Sequence, residues 1–455
     1  MKRLLDQYEF SRKIRTGIIG AGMYGTGIVT QASCVSSLQI AAIADRNLEN
    51  AERAYRYAGV SEDNISICED RNSALSAIES GKCVVTEDPM LLTELPIDVI
   101  VESTGSPEAG AHYAYEAIRH GQHVVMVTKE ADVTVGPILK YLADKAGVIY
   151  TAADGDQHGL LMGLVSWARN IGLEVICGGK SLGELIYDPV RKTTSGVRDS
   201  LSDEELWMFQ TDYSGQTERL INARREKLAG ASGMSKSDVA EMTIAANATG
   251  LCPDVPSLHC PSVYTREIPK VLCHSEDGGI LSKRGVIDSV SCLCYSHEAG
   301  LGGGVFIVVD SPNDYSRGIM AGGVPAHEGK GKASLITRPY HLRGVETVNT
   351  ILAAALHGVA TGASEYLPRY DVVLKAARDL KAGETLEEER NDQAYALMIP
   401  AVHVKDEAPL PEYMAFGNRL TVDVTKGTVI TRDMVSLPQD SVLRSLRAKQ
   451  DELFL

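Results

Sequence analysis

The stretch Lys13-Ile14-Arg15-Thr16-Gly17-Ile18-Ile19-Gly20-Ala21-Gly22-Met23-Tyr24-Gly25 constrains this chain more than any other, because an apolar strand runs directly into a glycine turn and then into a helix-compatible run reaching Ser36. Each glycine of Gly20-x-Gly22-x-x-Gly25 has a separate task. Gly20 makes the tight turn, Gly22 lets the backbone approach a pyrophosphate, and Gly25 lets the helix pack close to the strand. The unpaired N–H groups and the dipole at the helix start then favour an anion. The spacing alone is weak in a chain with 42 glycines. The apolar strand before it and an acidic residue about 20 positions after Gly25 supply the context that the pattern requires.

That acidic residue is Asp45, at the end of a second apolar run, Leu38–Ala44. An aspartate there hydrogen-bonds the adenosine ribose, whereas an adjacent arginine, here Arg46, can receive a 2′-phosphate. Spacing therefore leaves NAD and NADP open. Strand-like runs at 97–101 and 123–127 end in Glu102-Ser103-Thr104-Gly105 and Thr128-Lys129-Glu130, and ligands lie beyond the carboxyl ends of such strands. Ser103, Thr104, Gly105, Thr128 and Lys129 are thus expected beside the nicotinamide half, with Gly20, Gly22, Met23, Tyr24, Gly25, Asp45 and Arg46 at the adenosine half. Helices are expected at 49–57, 109–120 and 136–146. Strand and helix alternating over the first 150 residues predict an α/β fold, a Rossmann doubly wound parallel sheet.

From Ala152 the pattern changes to that of an α+β domain. A helix is expected at 160–170. Leu173–Lys180 reads as a strand entering a glycine turn at Gly178-Gly179, and Tyr187–Ser232 as a charged helical excursion or lid. Residues 286–295 and 305–309 read as a β-hairpin or β-β connection. A long helix at 345–360 is expected to return to the first domain. Residues 372–386 and 420–435 echo each other as strand, Lys-Ala-Gly or Thr-Lys-Gly turn, and short strand, which predicts an internal repeat. The expected domains are 1–152 with a return helix at 345–362, 153–344 for substrate and oligomerisation, and a small β-rich domain at 371–440.

Composition narrows the function. A chain of 455 residues predicts two or three domains. A net charge of −15 argues against nucleic acid and anionic membrane as partners. Small anionic substrates remain open where local basic groups outweigh the global field. No apolar run approaches the roughly 20 residues that span a bilayer, and Met1–Arg15 is charged with no apolar core of a leader, so a cytoplasmic location is expected. Nine cysteines with no Cys-x-x-Cys pair fit reduced thiols, and Cys292-x-Cys294 fits packing on one strand face.

With Thr104-Gly105 and Thr128-Lys129 at two strand ends, the first 150 residues resemble the nucleotide domain of homoserine dehydrogenases. The repeat around Arg378-Asp379-Leu380-Lys381-Ala382-Gly383-Glu384 resembles a SAF domain. These features, with Ala153-Asp154-Gly155-Asp156-Gln157, Gly178-Gly179-Lys180-Ser181 and Arg338-Pro339-Tyr340-His341-Leu342-Arg343-Gly344, resemble the 1-deoxy-D-xylulose 5-phosphate reductoisomerase-like (DRL) family. The resemblance implies an NAD(P)H-dependent oxidoreductase, a homo-oligomer, and formation of 2-C-methyl-D-erythritol 4-phosphate for isoprenoid synthesis. It favours NADP(H) over NAD(H). Relatives that act on branched sugar acids such as apionate supply the alternative. Homoserine oxidation is disfavoured, since no Asp-Gly-x-Asp-Ala-x-x-Lys string is present. A non-catalytic nucleotide sensor with a SAF-like ligand module is the alternative of another class.

Reduction of a carbonyl needs a proton donor for the developing alkoxide, and a lysine suits it because its charge stabilises an oxyanion. Lys180 is the first candidate and Lys129 the second, against the plain reading of each as a solvated lysine at a strand end. Asp154, Asp156 and Gln157 are candidates for orienting hydroxyls or holding a divalent ion, with Asp154 equally explained as a turn residue. Mg²⁺ or Mn²⁺ is an expectation of reaction logic only, and no ligand set is legible. Arg338, His341 and Arg343 offer positive charge to a phosphate or carboxylate, or else surface salt bridges.

Overall fold

Short runs of branched apolar residues set the first sheet. Strands β1 (Ile14–Ile19), β2 (Leu38–Ala44), β3 (Ile65–Ile67), β4 (Cys83–Thr86), β5 (Val99–Glu102), β6 (His123–Met126) and β7 (Tyr150–Ala152) pair in the order β3-β4-β2-β1-β5-β6-β7. Every pairing is parallel. Helices on both faces explain why β1, β2 and β5 read as nearly continuous apolar runs rather than alternating ones. These are α1 (Met23–Ala32), α2 (Leu48–Tyr57), α3 (Arg71–Glu79), α4 (Pro89–Thr93), α5 (Pro107–Arg119) and α6 (Lys129–Ala146). The fold class is α/β, as the alternation predicts.

The computed structural model describes residues 12–196, 200–209, 216–229, 231, 233–327, 333–389 and 392–455. They form two units: Met1–Asp156 with Leu342–Ser364 and Asp440–Gln450, and Gln157–His341 with Glu365–Gln439 and Asp451–Leu455. The leader reading at Met1–Arg15 falls largely outside the described residues.

In the first unit α6 is longer than its sequence pattern, starting at Lys129 rather than Gly136 and running through Pro137. Proline has no N–H and crowds the preceding turn, which opens the helical ladder. Gln450, more than 300 residues later, closes the gap. Its side-chain oxygen accepts the Ile138 N–H at 3.1 Å, and its amide donates to the Thr134 carbonyl at 3.2 Å. Those are the two groups that would bond each other in an unbroken helix. The return segment is also shorter than expected. It is helical at Thr347–Leu352, widens to a π turn at Ala353–His357 and stops at Gly358, which has φ +60°.

In the second unit the helix α7 spans Gln157–Asn170. Strand β8 (Glu174–Asp188) then runs through Gly178-Gly179 without turning. Gly179 is required there because a Cβ would lie 2.0 Å from the Asp288 carbonyl oxygen of a neighbouring strand. The excursion holds β9 (Thr193–Thr194), a 3₁₀ turn at Asp203–Phe209 and helix α8 (Thr217–Lys227). Its residues 197–199, 210–215, 230 and 232 lie outside the described residues. Helix α9 (Lys236–Thr249) opens on a capping box between Ser235 and Asp238.

Strands β10 (Cys252–Pro253), β11 (Ser262–Tyr264), β12 (Val286–Tyr295), β13 (Val305–Asp310) and β14 (Ser334–Arg338) complete the sheet with β8. Its main path is β10-β12-β8-β13-β14. Of the two readings of 286–309, the hairpin between β12 and β13 does not form, and the β-β connection within a mixed sheet does. β8 lies between them, parallel to β12 and antiparallel to β13. A long central strand buried on both faces outcompetes the local pairing that the glycine-rich link suggests.

Residues 365–439 also belong to the second unit. β15 (Tyr370–Ala376) pairs with β16 (Ala394–Pro400), and β17 (Arg419–Leu420) with β18 (Val435–Ser436). The internal repeat is visible as reciprocal bonding. Leu380 N–H donates to the Val424 carbonyl and Val424 N–H to the Leu380 carbonyl. The Asp379 carboxylate accepts from Lys426 N–H, and the Asp423 carboxylate from Ala382 N–H. The turn glycines Gly383 and Gly427 take φ +88° and +85°. Each copy therefore closes the other around a pseudo-twofold axis.

Arg224 of α8 is fully buried and donates to both Glu267 oxygens as well as to the Met208 and Ser262 carbonyls. Removing one partner of such a pair strands a buried charge. Glu267→Ala is expected to cost about 3–5 kcal/mol, seen as a lowered urea midpoint; an unchanged midpoint would show that Arg224 is compensated by its carbonyl bonds alone.

Candidate active site

The glycine turn has the geometry its spacing implies. Gly20 has φ +93°, and a Cβ on it would lie 2.6 Å from the Ser103 carbonyl. A Cβ on Gly25 would lie 2.1 Å from the Gly20 carbonyl, so α1 meets β1 through bare backbone. Gly22 faces open space, with nothing within 4 Å of its missing side chain. Met23 is exposed beside it.

Neighbouring groups fix this turn from below. Asp45 accepts Ala21 N–H at 2.7 Å through one oxygen and Asn47 N–H at 2.8 Å through the other. Arg46 beside it is exposed. The Ser103 hydroxyl donates to the Gly20 carbonyl at 2.8 Å, tying the β5 loop to the glycine turn. Glu102 is fully buried and accepts Thr104 N–H at 3.0 Å and the Thr104 hydroxyl at 2.5 Å. Burial pushes its carboxyl above the usual carboxylate range, against these bonds. Thr128 accepts Gly105 N–H at 3.0 Å, so the two strand ends are joined, and Lys129 follows as the first residue of α6.

Tyr24 and Asp154 meet within the same unit. The Tyr24 hydroxyl contacts the Asp154 carbonyl at 3.4 Å and accepts from Thr347 at 3.3 Å; Thr350 accepts Asp154 N–H at 2.9 Å. Burial, then the nearby Asp156 charge, raises the Tyr24 phenol. Gly155 at φ +97° would place a Cβ 2.7 Å from the Leu342 carbonyl, so Asp154-Gly155 is a sterically required turn. Asp156, half-buried, ends this unit.

In the second unit Lys180 sits in the middle of β8, only 2 % exposed. A buried ammonium needs charge compensation. Asp238 supplies it at 2.6 Å, and Glu241 accepts a further short hydrogen bond. The two carboxylates lie three residues apart on α9, hence on one helix face. Burial alone would lower the Lys180 pKa, but Glu241 and then Asp238 outweigh it and raise it. Lys180 is therefore held as an ammonium. His158 of α7 is also buried, with Nδ1 lacking a hydrogen-bond partner, and it lies within 4.8 Å of the Glu241 carboxylate. These four side chains form an acid–base constellation of the kind that serves catalysis.

Other sequence candidates serve different contacts. The Gln157 amide donates to the Ser181 and Gly304 carbonyls at 3.1 and 3.2 Å, pinning α7 to the sheet. His341 meets the Gly303 carbonyl through Nδ1, and the Arg338 guanidinium lies 5.2 Å from the Tyr340 ring centre. Arg343 is exposed and belongs to the first unit, whereas Arg338 and His341 belong to the second. Asp238, Glu241 and His158 escape sequence reading. The available signal was two acids at i,i+3 on a helix beginning with a capping serine, a pattern that usually marks a solvated face.

The Gly25 contact gives a direct test of the turn. Gly25→Ala must displace either α1 or the Gly20 carbonyl, and is expected to weaken NAD(P)H binding at least about tenfold, or about 1.4 kcal/mol, in a fluorescence titration. Unchanged affinity would remove this turn as the dinucleotide site.

Comparison with known proteins follows the same division. Residues 17–152 match the family model described as homoserine dehydrogenase, NAD binding domain, and residues 155–347 match that of oxidoreductase DRL, catalytic domain. No curated protein matches the chain. Among solved structures, biliverdin reductase from Synechocystis sp. PCC 6803 is 20 % identical over 40 % of this chain and 50 % of its own, with a TM-score of 0.27. The chain thus spans about half of that relative. The 3-ketoreductase KijD10 from Actinomadura kijaniata is 14 % identical over 77 % and 91 %, with a TM-score of 0.34. A probable dehydrogenase from Thermotoga maritima is 13 % identical over 77 % and 91 %, with a TM-score of 0.38. The two family matches, on either side of residues 153–154, make this chain similar to the NAD-binding domain of homoserine dehydrogenase in one part and to the catalytic domain of the DRL oxidoreductases in the other.

Proposed function

We propose that the chain catalyses NAD(P)H-dependent reductoisomerisation of 1-deoxy-D-xylulose 5-phosphate to 2-C-methyl-D-erythritol 4-phosphate, with Lys180 as proton donor. The observation that supports it is the buried Lys180 ammonium held by Asp238 and Glu241, inside the segment that matches an oxidoreductase catalytic domain. Its domains are taken as 1–152 with 345–362, 153–344, and a SAF-like 371–440.

Reduced nicotinamide supplies the hydride to a carbonyl carbon. Lys180 donates its proton to the oxygen as the alkoxide develops, where a fixed cation in a dry site is worth more than in water. Glu241, an ionised carboxylate already hydrogen-bonded to Lys180, is placed to relay a proton taken up from solvent back to the neutral amine. The carbon rearrangement that precedes reduction needs a hydroxyl proton removed, and the His158 imidazole beside Glu241 is the base available. Within this unit a divalent ion would find His158 and Glu241, but Glu241 already carries Lys180, and a hard cation such as Mg²⁺ needs more oxygen ligands. No step is assigned to a metal. Lys129 and Asp154 take the supporting roles of bordering the nicotinamide and fixing the turn. Arg338, His341 and Arg343 are assigned to the substrate's anionic group, and Asp156 and Gln157 to its hydroxyls.

NADP(H) is favoured over NAD(H), because Arg46 stands exposed beside Asp45, where a guanidinium can receive a 2′-phosphate. Arg46→Ala should lower kcat/KM with NADPH about tenfold and leave NADH unaffected, since it removes only the 2′-phosphate partner. Equal loss with both cofactors would contradict this.

Lys180→Met carries the main test. With the substrate and NADPH, nicotinamide absorbance should fall for the wild-type protein, and kcat of the variant should drop about 10²–10⁴-fold at unchanged NADPH affinity. No turnover by the wild-type protein with either cofactor would exclude this substrate. Turnover confined to branched sugar acids such as apionate would select an oxidoisomerase or dehydrogenase of those acids. Cofactor binding without turnover across a broad panel would favour a sensor.

A further inference from the structure

A cavity of about 650 Å³ lies in the second unit, beside the first turn of α9 and the middle of β16. Its volume is that of a site for a small organic molecule. The ionisable side chains that line it are Arg225, Lys236, His259, Cys260 and Tyr395, and among the described residues no aspartate or glutamate does. This stands against a chain whose net charge is −15. Met234, Val239 and Leu258 give it an apolar wall.

The rim is built at a conformational cost. Leu258 and Cys260 both take left-handed backbone conformations, with φ +56° and +43°. Neither is glycine, and such positions persist only where the surroundings over-determine them. Here they do. Asp288, with no exposed surface, accepts His259 N–H at 3.0 Å and Cys260 N–H at 2.9 Å. The His259 ring is fixed by Asp254 at 2.8 Å. The strained loop then turns its His259 carbonyl to Arg225, which donates to it at 3.5 Å and to the Asn222 side chain at 3.1 Å. A guanidinium has five N–H donors in a planar fork, so these two bonds orient Arg225 while leaving donors for a ligand. Lys236 is 4 % exposed, and its ammonium is steadied by the Glu388 carbonyl at 2.8 Å.

We infer that this cavity is a binding site for a small organic anion, a phosphate or carboxylate on an apolar or planar body, gripped by Arg225. Backbone strain, an oriented guanidinium and an acid-free lining occur together here, while the Lys236 ammonium is met by the Glu388 carbonyl and faces Glu412, Glu388 and Asp392. Surface salt bridging alone would require none of them. The site is independent of hydride transfer at Lys180. The two loci touch through Ser235, which lines the cavity and whose N–H and hydroxyl both donate to the Asp238 carboxylate that pairs with Lys180.

Isothermal titration of the full chain with inorganic phosphate, and separately with acetate, tests it. Saturable binding is expected for at least one of them. Arg225→Ala should weaken it at least tenfold, and Ser257→Glu, which puts a carboxylate on the exposed rim, should abolish it. Lys381→Ala, an exposed cation of the tail repeat, should leave it unchanged. Arg225 and Ser257 are exposed, so both variants should keep the wild-type melting temperature. Phosphate binding alone would mark a phosphate-bearing ligand, and binding of both anions a carboxylate-bearing one. Absence of saturable binding would overturn the inference. So would binding that Arg225→Ala and Ser257→Glu leave intact, which would show the glycine turn or an adventitious ion only.

Discussion

An ammonium group in the middle of a central β-strand is the constraint on which the second unit depends. Lys180 is only 2 % exposed in the middle of β8, so bulk water does not compensate it. The charge has to be met from a helix packed over the sheet. α9 does so with Asp238 in its first turn and Glu241 one turn on. The capping box that starts α9 uses the same Asp238, so helix start and ion pair are set by one carboxylate. The arrangement is a weak source of stability, because desolvation of three charges offsets most of their attraction. In the proposed reaction its value lies in holding a protonated donor at a defined place, which is what reduction of a carbonyl requires.

The first unit solves a different problem with fewer charges. There the backbone itself binds, and side chains serve mainly to hold it. Asp45, Ser103 and Thr128 are bonded to main-chain groups around the glycine turn, and Tyr24 and Thr347 clasp the Asp154-Gly155 turn. Residues that a motif would assign to a ligand thus also shape the turn itself. A carboxylate oxygen retains a second lone pair after accepting one N–H, so holding the turn does not disqualify Asp45 from the ribose.

Local chemistry made part of this legible in the sequence. Gly20 and Gly25 announced the turn because close backbone approach there tolerates no other residue, and alternation of strand and helix announced the parallel sheet. Lys180 stood out by its residue type near a strand end. What failed depended on distant partners. Gly178-Gly179 looked like a turn, yet the constraint is the Asp288 carbonyl on a strand over 100 residues away. The helix looked as if it started at Gly136, yet it begins at Lys129 and Gln450 bridges it around Pro137. β12 and β13 looked like a hairpin until β8 was placed between them. Asp238, Glu241 and His158 became a site only once α7 and α9 were laid on the same sheet. In the tail the echo of 372–386 in 420–435 was readable, and the reciprocal hydrogen bonds explain it: each half supplies the pairing that the other lacks.

The protonation state of Lys180 tests the account most directly. The side-chain signal of Lys180, assigned by its loss in Lys180→Met, can be followed by NMR as pH rises. Its folded pKa is raised, so the ion pair is fully present below the ordinary lysine value of 10.5 and is lost only as pH passes the higher folded value. Lys180 should therefore remain an ammonium beyond pH 10.5, and in the double variant Asp238→Asn, Glu241→Gln its titration should move downward, since burial then acts alone. A lysine already neutral near pH 8, or one whose titration ignores the loss of both carboxylates, would contradict the account.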